Sequence, residues 1–354
     1  MAGDIELLRE LCLTPGPSGF EGPVQEVVRR RLAPLGEASR DPLGDLWLTV
    51  GRTGPHVAVA AHADQIGLIV TYVDERGYLR VDAIGGVAVP LVPGRELVVH
   101  GARGPVRAVA GRPPTHLLEQ AERDRTPPLH EQFLDIGAPT RELALERVAV
   151  GDPVTFAPAF AELAPGVVAT QALDDRAGVY VAVRALELYA AAPGAARLTA
   201  LTTVMEETTL MGARAVALRD APDVFIVVDG DFCSDTPAAD AKRLAGEVRL
   251  GAGPVLGRGA GSHHGLFELA LDTAAGEGLP VQVKAAPEGM STDADELMAG
   301  GTAATLSLSL PVRYMHSPFE VAHLDDMEAA ARLVAALTRR LGGPDGAAST
   351  GRTP

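Results

Sequence analysis

The sequence predicts an α/β protein: a central mixed β-sheet flanked by helices, interrupted by an inserted β-rich domain. Three observations predict it. Continuous apolar, β-branched runs at 56–62, 198–205 and 224–228 read as strands buried on both faces. Segments of 3.6-residue periodicity alternate with them. From about Ile66 the texture changes to short alternating runs, GLIVTYV, GYLRVDAI, ELVVH, VRAVAG and DPVTF, closely punctuated by Gly and Pro. This places an α/β unit in residues 1–66 and 161–345, a β-rich barrel-like or sandwich-like insert in 67–160, and a disordered tail in 346–354.

Composition narrows the class. The chain has 354 residues, 47% hydrophobic and 22% charged, enough for a full core. A formal net charge of −15 argues against nucleic acid or an anionic membrane as the main partner. Two cysteines, Cys12 and Cys233, cannot build a disulfide framework, and a reducing, cytoplasmic setting fits. No basic segment followed by an apolar one opens the chain, and no apolar run is long enough to span a membrane.

The elements follow in order. Residues 4–12 and 23–35 are helical, the second starting at Pro23. GDLWLTV at 44–50 alternates like an edge or hairpin strand, and HVAVAAH at 56–62 is a buried strand ending in His62. Within the insert, 116–125 and 141–147 supply the few helical or loop pieces. After Pro165, a short strand breaks into Asp174-Asp175-Arg176 and a helix spans 177–190. The strand 198–205 ends in Glu206 and Glu207, and 224–231 is a strand that ends in Asp229. A helix at 265–275, the strand PVQVKAA and a helix from TDADELMAGG come next. The last strand lies in 304–320 with His316 just past its end, and a helix from 324 to 341 closes the fold.

Five strand ends thus carry polar groups: His62 and Asp64, Asp174 and Asp175, Glu206 and Glu207, Asp229, and His316. In open α/β sheets, ligands bind outside the carboxyl ends of the strands. A lone His or Asp at such a place is usually a solvated group or a helix cap. The joint occurrence carries the weight, because caps need not put acids or His after every apolar strand. All five segments are expected to follow parallel strands of one sheet. Two imidazoles with several carboxylates form the donor set of a zinc or cobalt pair. Such a pair clamps the attacking and leaving oxygens of a hydrolysis, and a free carboxylate can serve as general base. His263-His264 reads as plain loop, His116 as structural and Cys233 as an ordinary core thiol; GAGPVLGRGAG lacks the order of a phosphate loop.

These segments, in this order and spacing, resemble the tetrahedral (TET) aminopeptidase family, whose members are also called glutamyl or deblocking aminopeptidases. The resemblance runs from PGPSGFEGPVQEVV through AHADQIGLIV, GRPPTHLL, LDIGAPTRELALERVAVGDPVTF, ALDDRAG, VMEETTLMGARA and VVDGD to RYMHSPFEVAHLDDM. It implies an enzyme that removes N-terminal residues from short peptides with two divalent metal ions, Zn or Co. By motif, His62, Asp174 and Asp229 match the ligands of one metal. Asp174, Glu207 and His316 match those of the other, with Asp174 as the bridge. Glu206 matches the general base and Asp64 the residue that orients His62. The insert matches a PDZ-like dimerisation domain, with self-association to a dimer and onward to a dodecamer. Three places depart from the family pattern: Gln65 where Glu is usual, Asp175 where Asn is usual, and the turn Thr208–Met211. The changed turn leaves open a specialised amide or N-acyl amino acid hydrolase on the same centre. A non-catalytic assembly protein ranks below both, since every metal position is kept.

Overall fold

The computed structural model describes residues 3–343 except 124, 220, 221, 238, 243, 245 and 302. The tail 346–354, read above as disordered, lies outside the described residues. The chain opens with helices α1 (Ile5–Leu13) and α2 (Gly22–Leu32). The Asp4 carboxylate accepts the Leu7 N–H at 3.1 Å and starts α1; Pro23 sits in the first turn of α2, where its missing N–H costs nothing. Strands β1 (Ser39–Arg40), β2 (Leu46–Val50) and β3 (His56–His62) follow.

Five residues after His62 the chain enters a closed barrel. Its strands are β4 (Gly67–Val73), β5 (Leu79–Ile84), β6 (Glu96–Gly101), β7 (Gly104–Gly111), β8 (Phe133–Asp135) and β9 (Pro153–Phe156). They close in the order β4-β5-β8-β7-β6-β9, with short helices α3 (Gln120–Arg123) and α4 (Arg141–Leu145) between. Alternation along β7 puts Val106, Ala108 and Ala110 inside with Leu68, Val81, Leu97, Val99 and Leu134. The barrel has its own core, and because β9 pairs beside β4 the chain leaves it near where it entered.

Strands β10 (Phe160–Ala164) and β11 (Val167–Thr170) lead into helix α5 (Leu173–Ala191), then β12 (Arg197–Thr203), the short helices α6 (Glu206–Thr209) and α7 (Met211–Ala217), and β13 (Val224–Phe232). The remainder is β14 (Val255–Gly259), α8 (His264–Glu277), β15 (Gln282–Ala286), α9 (Asp293–Ala299), β16 (Ala304–Val312), β17 (Glu320–His323) and α10 (Leu324–Leu341). The central sheet runs β1-β2-β12-β3-β13-β16-β14-β15. Strands β12, β3, β13 and β16 are mutually parallel, whereas β2 and β14 run antiparallel to their neighbours β12 and β16, so the sheet is mixed as expected. Helices α5 and α10 cover one face with side chains such as Tyr180, Leu186, Leu333 and Leu337, none more than 1% exposed. Among the described residues, no helix is long and apolar enough to cross a membrane.

Four details differ from the sequence reading. Asp174 does not follow a strand of the central sheet: β11 belongs to a separate antiparallel sheet, β10-β11-β17. Asp229 lies inside β13, which continues to Phe232. Glu206 and Glu207 do not directly end a strand: β12 stops at Thr203 and the two glutamates open α6. Helix α8 begins at His264, inside the segment read as loop. In each case local apolarity marks the element, while pairing and tertiary contacts decide where it stops.

Candidate active site

The site forms where the parallel strands end. Register aligns Thr203 with His62 across β12 and β3, and Val227 with Ala60 across β13 and β3. The carboxyl ends of β3, β12 and β13 therefore converge. His316 arrives from the turn after β16, and Asp174 from the start of α5. Asp174 lies between the two imidazoles: its Oδ1 is 3.2 Å from His62 Nε2 and its Oδ2 is 3.3 Å from His316 Nε2. Glu207 Oε2 is 3.4 Å from His316 Nε2. On the other side, His62 Nε2 lies 3.8 Å from Asp229 Oδ1 and 3.9 Å from Glu206 Oε2. Donor atoms lie within 4.8 Å of one another in the triads His62, Glu206 and Asp229, and His62, Asp174 and Glu207; His316 joins them through Asp174 and Glu207, and Asp64 through His62.

Further buried carboxylates hold this cluster through its backbone. Asp64, fully buried, accepts the N–H groups of Glu206 and Glu207 at 3.0 and 3.1 Å and a hydrogen bond from Ser18. Its Oδ1 also faces His62 Nδ1 at 3.4 Å. Asp175 accepts the His62 N–H at 3.3 Å, and Glu21 accepts the Met205 N–H at 3.1 Å. Glu320 spans the site: one oxygen accepts the Asp174 N–H at 3.0 Å and the other the His316 N–H at 2.9 Å. The sequence reading missed Glu21, Glu320 and Ser18 as supports. Each lies inside a family-like segment, but only the fold turns it toward the site. Gln65 accepts a hydrogen bond from Arg176, a fully buried guanidinium, at 3.2 Å.

The electrostatics are those of too many acids for the cations present. Burial, then the repulsion of Asp174, pushes Glu207 up to about 8; burial pushes Glu206 up to about 7. Burial also raises Asp229 well above the usual carboxylate range. Burial works in the same direction on Asp174, but hydrogen bonds from His316 and His62 outweigh it and hold it low. The hydrogen bond to Asp174 lifts His316 to about 9. Glu207 Oε1 and His62 Nδ1 are buried without a hydrogen-bond partner. Bare carboxylates packed this closely need protons or cations. Two imidazoles and four carboxylates, one of them with an orphaned buried oxygen, form a donor set that fits divalent cations.

The backbone is strained at the same place. Ala172, Met205, Leu210, Ser291, Tyr314 and His316 all have φ between 54° and 62°, and each lines the site or lies within two residues of a residue that does. Left-handed backbone at such residues costs on the order of 1–3 kcal/mol each and persists only where surroundings impose it. A cleft of about 790 Å³ opens over the cluster. The departing turn Thr208–Leu210 forms part of its wall, with Phe232, Met290 and Met315. Its other acids are already engaged: Asp295 accepts the N–H groups of Met290 and Ser291, and Glu296 pairs with Arg214 at 2.7 Å. His263 and His264 are not among the cleft-lining residues, and Cys12 and Cys233 are buried, unpaired thiols.

Residues 44–333 match the M42 glutamyl aminopeptidase family. The chain belongs to that family. It is 33% identical over 344 residues to the lysyl aminopeptidase of Pyrococcus furiosus, covering 96% of this chain and 97% of the relative. Among solved structures it is similar to a TET aminopeptidase from a marine-sediment Thaumarchaeota archaeon, with a TM-score of 0.90 at 29% identity, covering 98% and 99% of the two chains. The Pyrococcus horikoshii TET1 peptidase, which can assemble into a tetrahedron or a large octahedral shell, superposes with a TM-score of 0.85 at 31% identity over 94% of this chain and 98% of that one. Membership in the M42 family makes this protein an aminopeptidase, a hydrolase of peptide amino termini.

Proposed function

We propose that the protein removes N-terminal residues from short peptides with two divalent cations, zinc or cobalt. His62, Asp174 and Asp229 would hold one, and Asp174, Glu207 and His316 the other. The observation that carries this reading is Asp174, whose two oxygens each face the Nε2 of a different histidine, at 3.2 and 3.3 Å. When bound, such cations supply Lewis acidity, lowering the pKa of water and polarising a carbonyl. The remaining work falls to the chain. Glu206, with its proton affinity raised to about 7, accepts the proton of the attacking water and returns it to the departing amine. Its side chain is 11% exposed at the cleft against 4% for Glu207, which favours Glu206 as the mobile base and Glu207 as a fixed ligand. Asp64 holds both glutamates by their backbone. The chain would self-associate through the barrel, to a dimer and onward to a dodecamer; the likeness to TET1, which can assemble into a tetrahedron or a large octahedral shell, supports self-association, and the two buried free thiols suit a cytoplasmic setting.

The test combines elemental analysis with a substrate panel. Two equivalents of divalent metal per chain and cleavage of aminoacyl but not N-acylated substrates are expected, with activity abolished by chelation and restored by Zn²⁺ or Co²⁺. Full activity in metal-free protein would overturn the cation reading, and preference for N-acyl substrates would overturn the exopeptidase one.

A further inference from the structure

The two halves of the site are held unequally. His62 lies at the end of a central strand, 2% exposed, with Asp175 on its backbone N–H and Asp64 beside its ring. His316 sits in the turn between β16 and β17, its side chain 36% exposed, with φ of 61° and Tyr314 two residues before it at 62°. That turn is closed at its base by the reciprocal backbone bonds of Arg313 and Val321, at 2.9 and 3.0 Å. At its tip, the His316 N–H bonds Glu320 Oε1. The other oxygen of Glu320 holds the Asp174 N–H, so one carboxylate fixes the separation of two residues that converge on one point. Glu320 itself is 2% exposed and first in β17, anchored by the pairing of that strand with β11. On the far side of His316 the barrel supplies Gly86, where an added Cβ would lie 2.7 Å from the imidazole Nδ1.

We infer that Glu320 is a positioning residue that sets the affinity of the His316 half of the site for a divalent cation, while the His62 half, which it reaches only through Asp174 and which Asp175 and Asp64 also hold, depends on it less. This rests on the two-cation reading. A left-handed turn at a partly exposed site keeps its imidazole aimed only while something ties the backbone down. Groups behind the ligands do this, and losing one typically weakens metal affinity 10–100-fold. Glu320→Gln keeps the volume but offers one acceptor oxygen where two N–H groups point. Its amide then sets donor against donor at either Asp174 or His316.

The experiment titrates metal-stripped full-length protein with Co²⁺ or Zn²⁺ against a chelating indicator, for the wild type, Glu320→Gln and Glu320→Asp. Two sites are expected in the wild type. Glu320→Gln should leave the first within about threefold and weaken the second by 10–100-fold. Glu320→Asp retains both acceptors on a shorter arm and should fall between, which also decides the matter if the Gln variant does not fold. In a His316→Ala background, Glu320→Gln should change the remaining site by less than threefold. Equal weakening of both sites, with a lowered Tm, would mean a general structural role and overturn the inference. Two unweakened sites in Glu320→Gln would also overturn it. A wild type that binds no divalent cation would instead refute the two-cation reading itself.

Discussion

At the scale of residues, the site separates groups that do chemistry from groups that aim them. Glu206→Gln removes a proton acceptor without changing shape, so metals should stay bound and turnover should fall by about 10²-fold or more, since proton transfer contributes about 10²–10⁴. Metal content and steady-state rates on one preparation check this. Glu207→Gln should instead lower metal content. A fully active Glu206→Gln beside a metal-replete, inactive Glu207→Gln would exchange the two roles. Fully buried Arg176 is a different matter. Its carbonyl and Gln65 partners are all neutral, and burial lowers its pKa to about 10. It still keeps its proton at neutral pH and places one fixed positive charge behind Asp175.

At the scale of elements, the hinge between strand and short helix decides where the glutamates point. Gly212 opens α7 against the end of β12; a Cβ there would lie 2.6 Å from both Val204 N and Val204 O and would also press on Asp45. Backbone cannot yield as a side chain does, so Gly212→Ala should displace α6 and lower kcat by at least about tenfold, measured with metals saturating. A variant of native activity would show that the hinge tolerates the shift. The α5–α10 layer is separable from catalysis. Leu333, 1% exposed in the core of that layer, should on conversion to Ala cost about 2–5 kcal/mol in denaturant unfolding, while kcat per folded molecule stays at the wild-type level.

At the scale of the whole molecule, the barrel begins five residues after His62, so its position bears directly on the site. Gly85 and Gly86 meet Glu207 and His316, and an added Cβ at Gly85 would lie 3.2 Å from Glu207 Cβ. The barrel therefore walls the second half of the site from within one chain. It also exposes Val109, Leu143, Leu145 and Val150, apolar side chains 44–58% exposed. Light scattering at micromolar concentration should show at least a dimer and, on the TET1 likeness, a dodecamer; a strict monomer would remove both the assembly and any size filter on substrates. A chain lacking 67–160 should assemble less. If its assembly is unchanged, the contacts lie on the α/β unit.

Much of this was legible in the residues. The continuous apolar runs mark β3, β12, β13 and β16 because a strand covered on both faces has no polar side to show. The short alternating runs mark the barrel because strands such as β7 have one wet face, although β9 is buried along its length. His62, Glu206, Glu207, Asp229 and His316 stood out because charged groups at the ends of such strands are costly unless something binds them, and Asp174 because its short strand reads as one of them. What the sequence could not decide was arrangement. The pairing of β11 away from the central sheet is set by contacts with β17, about 150 residues further on in the chain. The convergence of Asp64, Glu21 and Glu320 on backbone N–H groups is invisible to any periodicity, because a carboxylate aimed at an amide has the same composition as one aimed at water. The strained turn that presents His316 depends on a bond to Glu320 and on the Gly86 face of the barrel, and tertiary packing alone brings these to one point.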